Sequence, residues 1–125
     1  MAEGKKSRSY RDLDVWKRSI NLVTEVYEAS SHFPPVENFA LVQQIRRAAV
    51  SILSNIAAGQ FRNSPKEFRQ FLAVAFGSAA ELETKLIIAN KISYLSHLEF
   101  TSLLDNLEIT MKMIKKLSMN IKIEY

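Results

Sequence analysis

The sequence predicts an all-α protein, an up-down-up-down antiparallel four-helix bundle that assembles into a homo-oligomer. Apolar residues recur at intervals of three and four along four segments, and no segment alternates with period two. The connections between the segments are short, so successive helices should run antiparallel. Two of the segments are apolar over a wider arc than a single bundle buries, which favours contact with a second copy.

Composition narrows the class of protein before any motif is considered. The chain has 125 residues, the length of one domain, and it has no cysteine. Disulfides, thiolate metal sites and cysteine nucleophiles are therefore excluded. The polar start of the chain lacks the apolar segment of a signal peptide, and no apolar run approaches membrane-spanning length. We expect a cytoplasmic protein without membrane contact.

Residues 1–9 are expected to form a flexible basic arm, and residues 10–125 the bundle. The predicted helices span about residues 10–31, 36–58, 65–91 and 97–120. The first ends at "HFPPVE", because proline cannot continue a helix and restricts the residue before it. Gly59 follows the second helix and is predicted to be its C-terminal cap.

Capping signals mark the starts of the third and fourth helices. Ser64 is predicted to be an N-cap, with Glu67 three residues later completing a capping box. Ser96 and Glu99 repeat this spacing before the fourth helix. These two boundaries are therefore the ones best defined by local sequence.

The apolar arc of the second helix spans about 200°, roughly twice the minimum stripe of a surface helix. The third helix is similarly broad. The excess should be buried between copies, with small residues permitting close approach of helices: Ala48, Ala49, Ala57, Gly77, Ala79 and Ala80. The competing interpretation is a monomer with a slightly apolar surface.

Two charged residues fall on apolar faces. Arg46 lies inside the apolar arc of the second helix, whereas Arg47 lies on its polar side. Glu83 lies near the centre of the apolar stripe of the third helix. A buried unpaired charge is too costly to persist. Arg46 and Glu83 are therefore predicted to form a buried structural pair, directly or across a subunit boundary, and a role in fixing register is favoured over a catalytic one.

No pattern of catalytic residues emerges. His32 and His97 belong to no metal-binding motif, and Glu81 and Glu83, two residues apart, diverge on a helix. The sequence has no phosphate-cradling glycine loop and no nucleophile elbow. We expect a protein that is not an enzyme and has no catalytic residue, metal or cofactor.

Basic residues form clusters at the start of the chain, near the turn before the third helix and late in the fourth helix. The net charge is +4. Clustered cations attract phosphate backbones, so we predict binding of nucleic acid, RNA or DNA, mainly through phosphates. The candidate contacts are Lys5, Lys6, Arg8, Arg11, Arg47, Arg62, Lys66, Arg69, Lys112, Lys115 and Lys116. The alternative is that these are solvated helix ends, where cations near a C-terminus favour the helix dipole.

Several motifs together resemble the four-helix-bundle family encoded in intervening sequences of bacterial 23S rRNA genes. They are "DLDVW" (Asp12–Trp16), "FP" (Phe33–Pro34), "QIRRAAVSILSNIAAG" (Gln44–Gly59), "SPKEFRQFLAVAFGSAAELET" (Ser64–Thr84) and "YL" (Tyr94–Leu95). The resemblance covers roughly residues 10–118. It implies a small bundle that assembles into a ring-like homopentamer.

The resemblance also extends to the accessory variability determinant of diversity-generating retroelements, a distant branch of the family. That protein is similar in fold and associates with a reverse transcriptase and nucleic acid. The leading hypothesis is thus a homo-oligomer that binds RNA through basic surface residues. The alternatives are a scaffold that docks a reverse transcriptase or another protein, and a selfish-element product without a fixed biochemical role.

Overall fold

The computed structural model describes residues 9–123, which form an antiparallel four-helix bundle without strands in that range. Helix α2 packs against α1 and α3, and α4 closes the bundle against α3 and α1. The helices are α1 Asp14–Ser30, α2 Leu41–Phe61, α3 Pro65–Lys91 and α4 His97–Asn120, with 3-10 turns at Tyr10–Asp12 and Pro35–Glu37. The predicted all-α class and the four helices are confirmed.

The capping signals place the starts of α3 and α4 where the sequence predicts them. Ser64 Oγ accepts a hydrogen bond from the Glu67 amide at 3.3 Å. Ser96 and Glu99 form a complete capping box, with each side chain bonded to the backbone of the other residue. The box at Ser64 is only half formed, because the Glu67 carboxylate pairs with Arg62 instead. Each cap satisfies amides that otherwise lack partners at the helix start.

The start of α2 differs from the prediction. The helix begins at Leu41, not near residue 36, since Pro35–Glu37 forms a separate 3-10 turn. Ala40, with φ −127° and ψ −103°, is non-helical and has no side chain to cap the helix. The apolar spacing of the sequence continues across this break, but the helical conformation of the backbone is interrupted at Ala40.

Gly59 is not a C-terminal cap, which corrects the prediction. It lies inside α2, which continues to Phe61, and its φ is not positive. A Cβ at Gly59 would lie 2.7 Å from Phe71 Cβ and 3.0 Å from Phe68 Cδ1. Close approach of α3 therefore requires glycine here, not a left-handed backbone.

Small residues make the contact between α2 and α3 close. Ala48, Ala49 and Ala79 are buried within the single chain, although they were expected between copies. Gly77 and Ala80 are exposed on the outer side of α3. The core around this contact consists of large aliphatic side chains that are fully buried: Leu22, Ile45, Ile52, Ile56, Leu72, Leu82, Leu86, Leu103, Leu107 and Ile114.

A tyrosine clamp joins the two connections at one end of the bundle. The Tyr94 hydroxyl donates a hydrogen bond to Glu37 Oε2 at 3.0 Å, and the Tyr94 ring lies 5.3 Å from that of Phe33. The hydrogen bond to Glu37 raises the pKa of Tyr94, and desolvation and the carboxylate charge raise it further. Each of these favours the neutral phenol.

Candidate functional site

Three separate basic segments meet at one end of the bundle. Because successive helices alternate in direction, the start of α1, the turn between α2 and α3, and the end of α4 lie together. We call this region the basic end; its cations are Arg11, Arg62, Lys66, Arg69, Lys112, Lys115, Lys116 and Lys122. Among residues 9–123, the carboxylates on the same segments are Asp12, Asp14 and Glu67.

The opposite end of the bundle has the reverse balance. The last turns of α1, the 3-10 turn at Pro35–Glu37 and the first turn of α4 contribute carboxylates there: Glu25, Glu28, Glu37 and Glu99. The cations of this end are Lys91, in the last turn of α3, and Arg46 and Arg47, near the start of α2. Cations are therefore in clear excess at the basic end only, and the positive potential that attracts an anionic ligand is strongest there.

Two arginines of the basic end also stabilise its structure. Arg62 Nη1 lies 3.2 Å from Glu67 Oε1, and the guanidinium lies 5.1 Å from the centre of the Phe71 ring. Arg69 Nη2 donates a hydrogen bond of 2.6 Å to the carbonyl of Ile121, just beyond α4. The Arg62 contacts hold the turn between α2 and α3 against α3, and the Arg69 bond joins α3 to the end of α4. Both sets of contacts limit the freedom of the guanidinium groups.

The lysines of the basic end make no ion pair with the described residues, and among them only Lys115 lies over an aromatic ring, that of Phe76. Within residues 9–123 the ion pairs are Arg62–Glu67 and Lys85–Glu81. Four exposed lysines therefore have neither a carboxylate partner nor an aromatic ring contact among the described residues: Lys66, Lys112, Lys116 and Lys122. Their charges are available to a phosphate without loss of an existing pair.

A groove of about 340 Å³ lies between α3 and α4 at the basic end. Its apolar lining consists of Phe76, Met111 and Met119. Lysines and one amide make up the remaining lining: Lys112, Lys115, Lys116 and Asn120. The Lys115 ammonium lies 5.6 Å from the centre of the Phe76 ring. We call this feature the lysine groove.

A family model described as 23S rRNA-intervening sequence protein matches residues 11–116. The chain belongs to this family. The resemblance drawn from the sequence motifs is thereby confirmed over nearly the whole bundle. A comparison with curated proteins gives no match.

A solved structure similar to this chain is a protein of unknown function from the S23 ribosomal protein family of Bacteroides thetaiotaomicron. The two chains are 20% identical with a TM-score of 0.76, and the alignment covers 83% of this chain and 97% of the other. At this identity the likeness concerns the fold alone.

Not all predicted contacts of this family member lie at the basic end. Arg47 is exposed near the start of α2, by the opposite end of the bundle, in a groove of about 520 Å³ between α1 and α2. The predicted contacts Lys5, Lys6 and Arg8 lie outside the described residues, as does most of the predicted arm. Within residues 9–123, no helix is both long and apolar enough to cross a membrane.

Arg46 has partners other than the one predicted. Its Nε donates to Ser30 Oγ at 2.8 Å, its Nη2 donates to the Tyr27 carbonyl at 3.2 Å, and its guanidinium lies 4.4 Å from the Tyr27 ring centre. Glu83 makes no ion pair with the described residues. The direct Arg46–Glu83 pair within one chain is therefore not formed, whereas pairing across a subunit boundary stays a prediction.

The geometry of α2 and α3 explains why this pair does not form. A hydrogen bond of 2.8 Å between the hydroxyls of Ser51 and Ser78 fixes the antiparallel register, so Arg46 and Glu83 lie at the same height. Each lies five residues from the serine on its own helix and is turned about 140° away from that contact. Arg46 faces α1 and donates to one carbonyl of its last turn, that of Tyr27, where a cation is favoured.

Sequence reasoning missed Phe76 and Met119 as parts of a surface site. Met119 follows Lys112, Lys115 and Lys116 at helical spacing, which places them on one side of α4. That signal was present in the sequence. The position of Phe76 opposite them depends on how α3 packs against α4, which no local pattern provides.

Proposed function

We propose that this protein is a non-enzymatic RNA-binding protein that contacts phosphates through the basic end. The observation that carries the proposal is the meeting of three basic segments at one end, where four exposed lysines have neither a carboxylate partner nor an aromatic ring contact among the described residues. Lysine contacts with phosphate release counterions and give affinity without sequence selectivity. The description of the family names 23S rRNA, which makes RNA the first ligand to test.

The cations of the basic end have two roles in this proposal. Lys66, Lys112, Lys116 and Lys122 contact phosphates. Arg62 and Arg69 chiefly position these segments through Glu67 and the Ile121 carbonyl. Loss of one contacting lysine should weaken binding to all sequences alike and reduce the salt dependence by about one phosphate contact.

The salt dependence of RNA binding tests the proposal. Fluorescence anisotropy would measure the Kd for a labelled RNA hairpin at several salt concentrations. Four phosphate contacts predict a slope of roughly −3 to −4 for the logarithm of affinity against the logarithm of salt concentration. Affinity that does not change with salt, or no binding at low ionic strength, would contradict the proposal.

A matched pair of charge reversals locates the contact. Lys66→Glu should weaken RNA binding several-fold, whereas Lys91→Glu, the same change on an exposed lysine at the opposite end, should leave the Kd nearly unchanged. Lys66 lies in the first turn of α3, where a carboxylate is favoured by the helix dipole, so Lys66→Glu should not unfold the protein. Equal losses from both variants would contradict a site at the basic end.

We also infer that the protein is a homo-oligomer, because the groove between α1 and α2 is bordered by exposed apolar side chains. Tyr27 is 42% exposed, Phe39 91% and Val50 36%. Exposed apolar surface of this kind favours an interface. The family resemblance implies a ring-like homopentamer.

Multi-angle light scattering tests this assembly. The mass should exceed 14.3 kDa, the mass of one chain, at micromolar concentration. Phe39→Asp should lower the mass, whereas Leu98→Asp, an equally large change at a residue that does not line this groove, should not. A monomer mass for the unmodified protein would contradict the inference.

The same groove also suits the alternative role, a scaffold that docks a reverse transcriptase or another protein. Its arginines, Arg46 and Arg47, would face carboxylates of the partner. This alternative predicts that a stoichiometric protein partner is retained after nuclease treatment. Retention that depends on intact RNA would instead favour the RNA-binding proposal.

A further inference from the structure

We propose that the lysine groove holds one unpaired base, so that the basic end prefers single-stranded RNA to duplex. This inference rests on the proposed function and narrows its ligand from RNA in general to an unpaired strand. It assigns a role to the apolar side chains Phe76, Met111 and Met119, which phosphate contacts alone do not explain.

The size and lining of the groove suit a base. Its volume of about 340 Å³ falls in the range of small-molecule pockets, roughly 300–1,000 Å³. A phenyl ring and two thioethers offer a polarisable surface on which the flat face of any base can stack. Phosphate alone gains nothing from such a lining, because it remains hydrated and makes no apolar contact.

The remaining lining of the groove suits the flanking backbone. Lys112, Lys115 and Lys116 lie on two successive turns of α4, and none of the described residues that line the groove is a carboxylate. Phosphates on either side of a seated base would lie within reach of these flexible ammonium groups. Asn120 adds one amide that both donates and accepts hydrogen bonds at a base edge.

In the free protein, Lys115 covers the Phe76 ring on which a base would stack. Its ammonium lies 5.6 Å from the Phe76 ring centre, a cation–π contact at an exposed site. A stacked base replaces this contact, and the released lysine turns to a phosphate. The ammonium group that covers the Phe76 ring in the free protein therefore contacts an RNA phosphate in the complex.

Duplex RNA cannot use this groove without disruption. Its bases are stacked and paired, so the duplex presents phosphates and groove edges, and a base must be extruded before it can stack on protein. A single strand presents its bases freely. The phosphate contacts of the basic end should bind both forms, while the apolar lining contributes only to the single strand.

A polyanionic strand fits the surroundings of the groove better than an acidic peptide. Lys66 and Lys122 belong to the same end but do not line the groove, so the positive surface continues past it. A strand with regularly spaced phosphates, seated by one base in the groove, can continue toward these lysines. An acidic peptide would need carboxylates matched to the same spacing.

Three RNA probes of equal length test the inference with the full chain. They are a labelled single strand of about ten nucleotides, the same strand in a duplex, and an abasic strand with the same phosphates but no bases. At matched ionic strength, the single strand should bind about fivefold or more tightly than the abasic strand, the lower end of the range for stacking one base. The duplex should bind more weakly than the single strand.

Two substitutions in the groove and one outside it test whether the preference for a strand with unpaired bases arises in the groove. Met119→Ala and Phe76→Leu should reduce the ratio of single-strand to abasic affinity and leave the salt slope unchanged, because no charge is lost. Met119 is 73% exposed, so its truncation should not affect folding. Ile109→Ala, at an exposed position of α4 that does not line the groove, should leave the ratio unchanged.

The outcomes distinguish this inference from the proposed function. Equal affinity for the three probes, or a preference that survives both groove substitutions, would overturn the inference and leave phosphate binding intact. Absence of all RNA binding would overturn both. Binding of a labelled glutamate-rich peptide that is weakened by Met119→Ala, without any preference among the RNA probes, would show that the groove is a peptide site and overturn the inference alone.

Discussion

Helix α2 contacts α3 on one flank and α1 on the other, and the two contacts are built differently. Toward α3, Gly59 lets the helices approach until a Cβ would meet Phe71 at 2.7 Å. Toward α1, the guanidinium of Arg46 bridges to Ser30 and Tyr27 beside a groove of about 520 Å³. Both helix pairs share the buried core, but at its outer edge the first contact is closed by a glycine, whereas the second is bridged by one long side chain. We call the side of α2 that faces α3 the closed flank and the side that faces α1 the open flank.

This difference separates surface that is buried within the chain from apolar surface that stays exposed. Close-packed interiors tolerate little change in volume, so the contact with α3 should depend on shape. The outer edge of the contact with α1 is held by hydrogen bonds from Arg46, and Phe39 and Val50 stay exposed beside it. We therefore expect substitutions on the α3 flank to act through packing, and those on the α1 flank through hydrogen bonding or assembly.

The largest expected effect comes from filling the closed flank. Gly59→Leu should lower the free energy of unfolding by about 3 kcal/mol or more, the upper range for overpacking, because α2 and α3 must separate. Urea unfolding followed by circular dichroism would measure it. Gly59→Ala should act in the same direction but less, since better helix propensity offsets part of the clash.

The control for Gly59→Leu is the same substitution at Gly77. Gly77 is also inside a helix, but a Cβ there meets nothing within 4 Å in the chain. Gly77→Leu should not destabilise the chain, because helix propensity favours leucine over glycine. Similar losses at the two glycines would show that the α2–α3 contact is not the tight one.

The glycines and helix caps also show which features of this fold can be predicted from local sequence. The starts of α3 and α4 were predictable because Ser64 and Ser96 cap amides three residues away. Gly59 was mistaken for a cap, because its requirement comes from Phe71, twelve residues away on another helix. Local patterns identify helices and faces, whereas the partner across a face depends on packing.

The candidate site follows the same division. The basic clusters were visible in the sequence, and alternating helix directions bring them to one end. The lysine groove was not predictable, because Phe76 reaches Lys115 only through the packing of α3 on α4. The sequence predicts that Arg46 needs a partner and offers Glu83, but within the chain its partners are Ser30 and Tyr27.

The open flank should depend on Arg46. Arg46→Ala should lower the free energy of unfolding by about 1–2 kcal/mol, because two hydrogen bonds from a charged donor are lost at a partly exposed site. Arg47→Ala, the neighbouring and exposed residue, should change it by less than about 0.5 kcal/mol. Thermal and urea unfolding of the two variants would measure the difference.

Arg46→Lys tests whether the charge or the geometry of the guanidinium group provides this stability. Lysine keeps the positive charge near the end of α1 but cannot donate from two fixed nitrogens or stack a plane on Tyr27. Its stability should therefore lie closer to that of Arg46→Ala than to that of the unmodified protein. Full recovery in Arg46→Lys would mean that charge alone, not the guanidinium geometry, maintains the contact with α1.

The smallest expected effect on stability comes from the hydrogen bond of 2.8 Å between Ser51 and Ser78 on the closed flank. In a double-mutant cycle of Ser51→Ala and Ser78→Ala, the coupling energy should be about 0.5 kcal/mol, the lower end for a neutral hydrogen bond. Each serine hydroxyl that loses its partner can turn to the backbone of its own helix, which limits the loss. If shape holds α2 against α3, this coupling must be smaller than the loss in Arg46→Ala. A coupling larger than that loss would reverse the comparison, because hydrogen bonding would then stabilise the closed flank more than the open one.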